Sequence, residues 1–169
     1  MGLTFSEQVA AVLLGLVPGD ELPKIATSAL VEDFDSPSLA ALAGQSTTAY
    51  DPLENRRLWH KAMDELGMAA PDVLDAATTV VHACARMVIA GELEPREGAA
   101  KVIHVVDGVC QAGPHPIRWK YVKDALGVQM LIYYYYERDK CEFLDTTRGE
   151  IDDLILNEFR NIARKQSGP

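Results

Sequence analysis

The sequence lacks the short motifs that mark the commonest catalytic sites. It contains no GxSxG nucleophile motif, no P-loop, no GxGxxG fingerprint and no HExxH zinc motif. The ExxH pairs of di-iron helical bundles are also absent. These absences favour a non-enzymatic protein without a cofactor. They leave open a catalytic site that is assembled only in the fold.

Cysteines and long apolar runs are also scarce. The three cysteines, Cys84, Cys110 and Cys141, are odd in number and form no CxxC pair, which indicates reduced thiols in a cytosolic protein. No apolar run approaches the length of about 20 residues that a membrane span needs. Residues 9–17 are apolar, but no Lys or Arg precedes them, so we expect no signal peptide. A cytoplasmic location follows as the prediction.

Positive charge is nearly missing from the first third of the chain. Residues 1–54 carry eight acidic side chains against Lys24 alone, a net charge of −7, whereas the other residues carry 17 acids and 15 bases, a net charge of −2. This asymmetry disfavours nucleic-acid binding, which needs clustered Lys and Arg. It suits a basic protein partner. The alternative is that the acidity only keeps the protein soluble.

The pattern of apolar residues predicts a single all-α domain over residues 1–169, with about seven helices. Its centre is an antiparallel helical hairpin, residues 71–90 and 95–112, joined by a turn that contains Gly91. Each hairpin helix is apolar around most of its circumference, so the other helices must cover it. A polar stripe follows each helix, and the second stripe contains Lys101, His104 and Gln111. The sequence leaves open whether a second copy of the chain supplies part of the cover.

The other predicted helices surround this hairpin. They span residues 7–16 with Ser6 as N-cap, residues 21–33 capped by Asp20, a short helix that starts at Pro37, residues 52–66 with an inward Leu53, and residues 147–165. Periodicity is weaker over residues 115–146. Residues 128–136 fit a helix or a strand, and we predict a helix because a lone strand has no partner strand in this chain. We predict loops over residues 45–50 and 141–146.

Two segments carry a resemblance. Residues 35–44, DSPSLAALAG, and residues 91–99, GELEPREGA, resemble segments of a group of small uncharacterised actinobacterial all-helical proteins. The two segments cover about a tenth of the chain. The resemblance implies a bacterial cytosolic origin and the same fold class. It implies no functional residue.

Two histidines are candidate metal ligands. His82 and His104 lie at equal distances along the chain from Leu93, so an antiparallel hairpin brings them to one level. Together with Asp107 they offer two imidazoles and a carboxylate, a set that suits zinc or a pH-sensitive site. The alternative is two surface or interface histidines, because nothing in the sequence fixes the rotation of the two stripes toward each other.

Two further groups of residues are candidate partner-binding surfaces. Tyr133, Tyr134 and Tyr136 belong to a run of four tyrosines, which point around a whole helix, so that one or two of them must be exposed. Tyrosine is common at binding hot spots. Glu32, Asp33 and Asp35 concentrate negative charge after the second helix. The alternatives are packing against the last helix for the tyrosines and a helix end followed by an N-cap for the acids.

A weaker candidate is the basic and aromatic segment that contains Arg118, Trp119, Lys120, Tyr121 and Lys123, which has the residue types that stack on a single nucleic-acid strand. We therefore expect a non-enzymatic interaction module, in its most specific form an acidic inhibitor or immunity-type protein for a basic partner. The alternative is a metal- or small-molecule-binding helical protein that uses His82 and His104. Nucleic-acid binding ranks third.

Overall fold

The computed structural model describes residues 2–45, 51–112, 118–143 and 147–166, and within these ranges the chain is helical without strands. The predicted all-α class is confirmed. The described residues form nine α-helices, α1 (Phe5–Leu13), α2 (Leu22–Val31), α3 (Pro37–Ala43), α4 (Pro52–Glu65), α5 (Val73–Ile89), α6 (Pro95–Gln111), α7 (Trp119–Leu126), α8 (Gln129–Glu137) and α9 (Arg148–Gln166), and a 3₁₀ helix, Arg138–Phe143.

The expected number of about seven helices is too low for the part of the chain that is described. The stretch of weak periodicity forms two helices, α7 and α8, which are separated at Gly127 with a left-handed φ of 67°. The predicted helix at residues 128–136 is confirmed by α8. The predicted loop at residues 141–146 is wrong for its first half, which ends the 3₁₀ helix, and residues 144–146 lie outside the described residues. Of the loop predicted at residues 45–50, all but Gln45 also lies outside them.

The first helix starts earlier than predicted. Thr4, not Ser6, is its N-cap, because the spacing from Thr4 to Glu7 forms a capping box. The Glu7 carboxylate accepts from the Thr4 backbone N–H at 2.8 Å, and the Glu7 N–H donates to the Thr4 hydroxyl at 3.4 Å. The second helix is also shifted, since Glu21 takes the N-cap position, without a side-chain hydrogen bond, in place of Asp20.

The start of α4 is confirmed, whereas one of its predicted core residues is wrong. Asp51 accepts hydrogen bonds from the Leu53 and Glu54 backbone N–H groups at 2.9 and 3.4 Å, as expected for an N-cap before Pro52. Leu53, however, is 78% exposed. It lies in the first turn, where the helix face that meets the core begins only at Asn55 and Leu58, which are buried.

The apolar side chains form two buried clusters. The first joins α1 to α2, α3 and α4. In it, the Phe5 ring centroid lies 4.5 Å from that of Phe34 and 6.0 Å from that of Trp59. The second joins α1 to α5, α6, α7, α8 and α9. Its largest side chain without exposure is Phe159 of α9. Helix α1 contributes to both clusters, so its position affects both.

Helices α5 and α6 pack against each other, and α5 also packs against α1, α7 and α9. Each of the two helices has a broad buried face. Gly98 permits a close contact here, because a Cβ at this position would lie 2.5 Å from Val88 Cγ2 and 3.0 Å from Phe159 Cζ. Among the described helices, none combines the length and apolarity that crossing a membrane requires.

A carboxylate of α4 closes the N-terminal end of α3. Glu65 accepts hydrogen bonds from the Ser38 backbone N–H at 2.9 Å and from the Ser38 hydroxyl at 2.8 Å. These hydrogen bonds hold the pKa of Glu65 below its usual value, with a smaller lowering by Lys61. A lowered folded-state pKa contributes stability that is present above the unfolded-state pKa and is lost as pH falls through the folded-state pKa.

We therefore expect Glu65→Gln to reduce the free energy of unfolding at neutral pH and to flatten the decline of that free energy as pH falls below about 5. Urea titrations at a series of pH values measure both effects. Asp64→Asn is the matched control, since Asp64 is the exposed neighbour on the same helix. Equal pH profiles for the two variants would show that the Ser38–Glu65 contact contributes nothing.

Candidate functional site

The described residues form a groove of about 900 Å³ between the end of α1 and helices α5 and α6. One wall is apolar and consists of Leu13, Leu16 and Val17. Helix α6 forms another wall, and the buried side chains of Leu14, Val80 and Val105 also line the groove. A mostly apolar concavity with a few polar side chains is the usual form of a binding site.

The apolar wall exists because α1 ends in a tight left-handed turn. Gly15 has a φ of 69°, a conformation that side chains with a Cβ rarely adopt. The Leu16 N–H donates back to the Ala11 carbonyl at 3.0 Å, which reverses the chain direction. The reversal places Leu16 and Val17 beside the groove instead of extending the helix as the sequence predicts.

The α6 wall carries the polar stripe seen in the sequence. Lys101, His104 and Gln111 are exposed and line the groove. Asp107 also lines it, but its carboxylate accepts a hydrogen bond from the Trp119 indole Nε1 at 2.7 Å. Asp107 therefore joins α6 to α7 and holds the side of the groove in place.

Two contacts fix α1 relative to helices α5 and α6. Arg86 of α5 donates from one nitrogen to both carboxylate oxygens of Glu7, at 3.1 and 2.8 Å. At Gly108 the backbones of α1 and α6 come so close that a Cβ would lie 2.6 Å from the Leu14 carbonyl oxygen. The groove is thus built between helices that are held on two sides.

The groove also contains a thiol that is poorly suited to nucleophilic chemistry. Cys84 is buried, and burial raises its pKa to about 11, with a smaller opposing effect from Lys101. The thiolate is the reactive form, so this group is almost entirely protonated and unreactive at neutral pH. Cys84 contributes to packing.

The candidate metal ligands separate in the structure. His104 and Asp107 line the groove, whereas His82 does not. Burial lowers the pKa of His82, and its Nδ1 has no hydrogen-bond partner among the described residues. No group of three or more His, Cys, Asp or Glu side chains within the described ranges is arranged to hold a metal ion. The zinc site therefore stays a prediction without structural support.

The acidic candidates are presented to solvent in a fixed turn. Glu32, Asp33 and Asp35 are all exposed, and their carboxylates make no hydrogen bond or ion pair with the described part of the chain. Asp33 has a left-handed φ of 66°, and the Phe34 N–H donates to the Ala29 carbonyl at 3.0 Å. Phe34 packs on Phe5, which anchors the turn to the core. We call residues 32–35 the acidic turn.

Two of the three candidate tyrosines are presented to solvent. Tyr133 is 53% and Tyr136 is 51% exposed, and Met130 beside them is 45% exposed. Spacings of three residues place these side chains on one side of α8, which we call the tyrosine face. Tyr134 instead packs against the second buried cluster. Tyr135 does the same, with the Arg96 guanidinium 5.9 Å from its ring centroid.

The basic and aromatic segment is less available than its sequence indicates. Trp119 is half-buried and donates a hydrogen bond to Asp107, so one of the segment's two aromatic side chains is not available to a nucleic acid. Tyr121 is 63% exposed, and Arg118 and Lys120 are exposed. A single exposed ring with few cations is a weak stacking surface.

The sequence reasoning missed the apolar wall of the groove. The helix predicted over residues 7–16 includes both Leu13 and Leu16, whereas α1 ends at Leu13, which is 36% exposed beside the groove. The signal was present, because Gly15 precedes two apolar residues and Pro18, which is a helix-stop pattern.

Comparison with known proteins adds no relative: no family model, curated protein sequence or solved structure matches this chain.

Proposed function

We propose that this chain is a non-enzymatic protein-interaction module, an acidic inhibitor or immunity-type protein that binds a basic partner. The observation that supports this most directly is the acidic turn. Its three carboxylates are exposed and unpaired within the described chain, so their charge is available to a partner. The net charge of −7 over residues 1–54 extends the same field.

Charge of one sign on one part of a surface accelerates encounter with an oppositely charged partner. The acidic turn is held in one conformation by Phe34, so little conformational entropy is lost when it meets a partner. Val31, 80% exposed, offers an apolar contact next to the acids. The tyrosine face supplies a second contact of the type that anchors complexes.

We further propose that the α5–α6 hairpin is the organising centre of a single-domain module, located in a bacterial cytoplasm. The extensive burial of both helices and the contacts of α5 with α1, α6, α7 and α9 support the first part. The resemblance of residues 35–44 and 91–99 to small actinobacterial helical proteins supports the second. A zinc-dependent function has no such support.

The test begins with a pull-down, in which the tagged protein is incubated with bacterial lysate. We expect it to retain a basic protein at low salt and to release that protein at high salt. We expect Glu32→Gln, Asp33→Asn and Asp35→Asn together to slow association with that protein by about tenfold and to weaken the salt dependence of the rate. Asn tolerates the left-handed backbone at position 33. Stopped-flow or surface-based kinetics measure the rates.

The matched control removes three exposed carboxylates elsewhere, with Asp64→Asn, Asp75→Asn and Asp153→Asn, and changes the net charge equally. It should leave the association rate nearly unchanged. A second contrast, Tyr133→Ser with Tyr136→Ser, should act on dissociation instead. Equal slowing by both charge variants would show that net charge alone acts, and retention of no basic protein would refute the proposal.

A further inference from the structure

We propose that the groove between α1 and α6 binds a basic amphipathic helix of the partner. This inference rests on the proposed function, because it assigns the place at which the basic partner is anchored. It goes beyond the acidic turn and the tyrosine face, which lie outside the groove lining.

The length of the groove suits a short helix. Its α6 wall extends from Lys101 to Ala112, and eleven steps of about 1.5 Å give about 16 Å, or three helical turns. Leu13, Leu16 and Val17 provide apolar contacts along the facing wall. Helices that dock in grooves use anchors at spacings of three and four residues, and three turns present three or four such anchors.

The charge of the groove selects a basic occupant. The charged side chains of the lining are the carboxylates of Glu21, Glu92 and Asp107 and the ammonium of Lys101, a formal net charge of −2. A second copy of this chain carries a net charge of −9, so its approach is opposed. A basic helix is attracted both by the lining and by the charge of the whole chain.

Lys101 gives the inference a sharp test, because it is the one lysine among these carboxylates. It is exposed and forms no ion pair with the described residues. If the occupant is basic, Lys101 opposes it, and reversing this charge strengthens binding. If the occupant is acidic, Lys101 is its natural partner, and the same reversal weakens binding.

The probe is a fluorescein-labelled peptide of about 14 residues with leucines on one helical face and lysines elsewhere, which spans the groove. A peptide of the same composition with scrambled order removes the apolar face, and a leucine–glutamate version reverses the charge. Fluorescence anisotropy measures Kd for each peptide with the full chain. We expect the leucine–lysine helix to bind at least about tenfold more tightly than both comparison peptides.

Two pairs of variants localise the binding. Lys101→Glu should tighten binding about fivefold, whereas Lys24→Glu, an equal charge change on an exposed lysine outside the groove, should have a much smaller effect. Leu13→Ser should weaken binding about fivefold. Its control is Leu154→Ser, because Leu154 is 38% exposed and Leu13 is 36% exposed, and Leu154 does not line the groove.

Several results would overturn the inference: equal affinity for the scrambled peptide, tighter binding of the leucine–glutamate helix, or equal effects of Leu13→Ser and Leu154→Ser. Failure of the proposed function would give a different set of results. If no basic protein is retained from lysate, the peptide result still stands. If a basic protein is retained but binds Leu13→Ser and Lys101→Glu as it binds the unmodified chain, the groove is not its docking site.

Discussion

Phe159→Ala should lower the free energy of unfolding by about 3–5 kcal/mol, as expected when a buried aromatic side chain is truncated. Phe159 is fully buried in α9, where it meets α6 at Gly98. The truncation removes apolar contacts and leaves a cavity that the surrounding helices fill only in part. Since small domains are stable by about 5–15 kcal/mol, such a loss is a large share of the total.

Urea denaturation followed by far-UV circular dichroism measures this change. Leu154→Ala is the matched control on the same helix, and Leu154 is 38% exposed, so its truncation should cost below about 1 kcal/mol. If both variants lost the same small amount of stability, α9 would not be packed onto α5 and α6 as described. The prediction therefore tests the position of α9 as well as the contribution of the Phe159 side chain to stability.

The position of Phe159 in the core was predictable, since Ile151, Ile155, Phe159 and Ile162 follow helical spacing and all prove buried. The exposure of Leu53 was not predictable, because helical periodicity places Leu53 close to the face of α4 that proves to be buried. The start of α1 was predictable in principle from Thr4 and Glu7, and the choice of Ser6 overlooked the capping box. Periodicity fixes which residues share a helix face, whereas the ends of helices depend on single local contacts.

The candidate site was less predictable for a physical reason. The sequence identifies the polar stripe with Lys101, His104 and Gln111. A stripe lies on one helix, whereas a groove depends on how two helices are placed relative to each other. Its second wall depends on the turn at Gly15 and on how closely α1 approaches α6. The exposure of Tyr133 and Tyr136 as opposed to Tyr134 likewise depends on how α8 is rotated against the buried cluster, which spacing alone leaves open.

The approach of α1 to α6 leads to the second large effect. Gly108→Ala places a Cβ at 2.6 Å from the Leu14 carbonyl oxygen, a distance that real Cβ atoms essentially never show. Alanine improves helix propensity by about 1 kcal/mol over glycine. Overpacking against backbone costs about 1–3 kcal/mol, because the end of α1 must shift as a unit. We expect a net destabilisation, and we expect weaker binding of the leucine–lysine peptide because the apolar wall moves.

Gly149→Ala separates these contributions. Gly149 also lies in a helix, and the nearest atom to its added Cβ is the Thr147 hydroxyl at 4.0 Å. This variant should gain up to about 1 kcal/mol and leave peptide affinity unchanged. Urea titrations and anisotropy on both variants give the comparison. Helix propensity favours alanine in both substitutions. A loss of stability in Gly108→Ala beside a gain in Gly149→Ala would therefore point to the close contact between Gly108 and Leu14. A parallel loss of peptide affinity would show that this contact supports the groove wall.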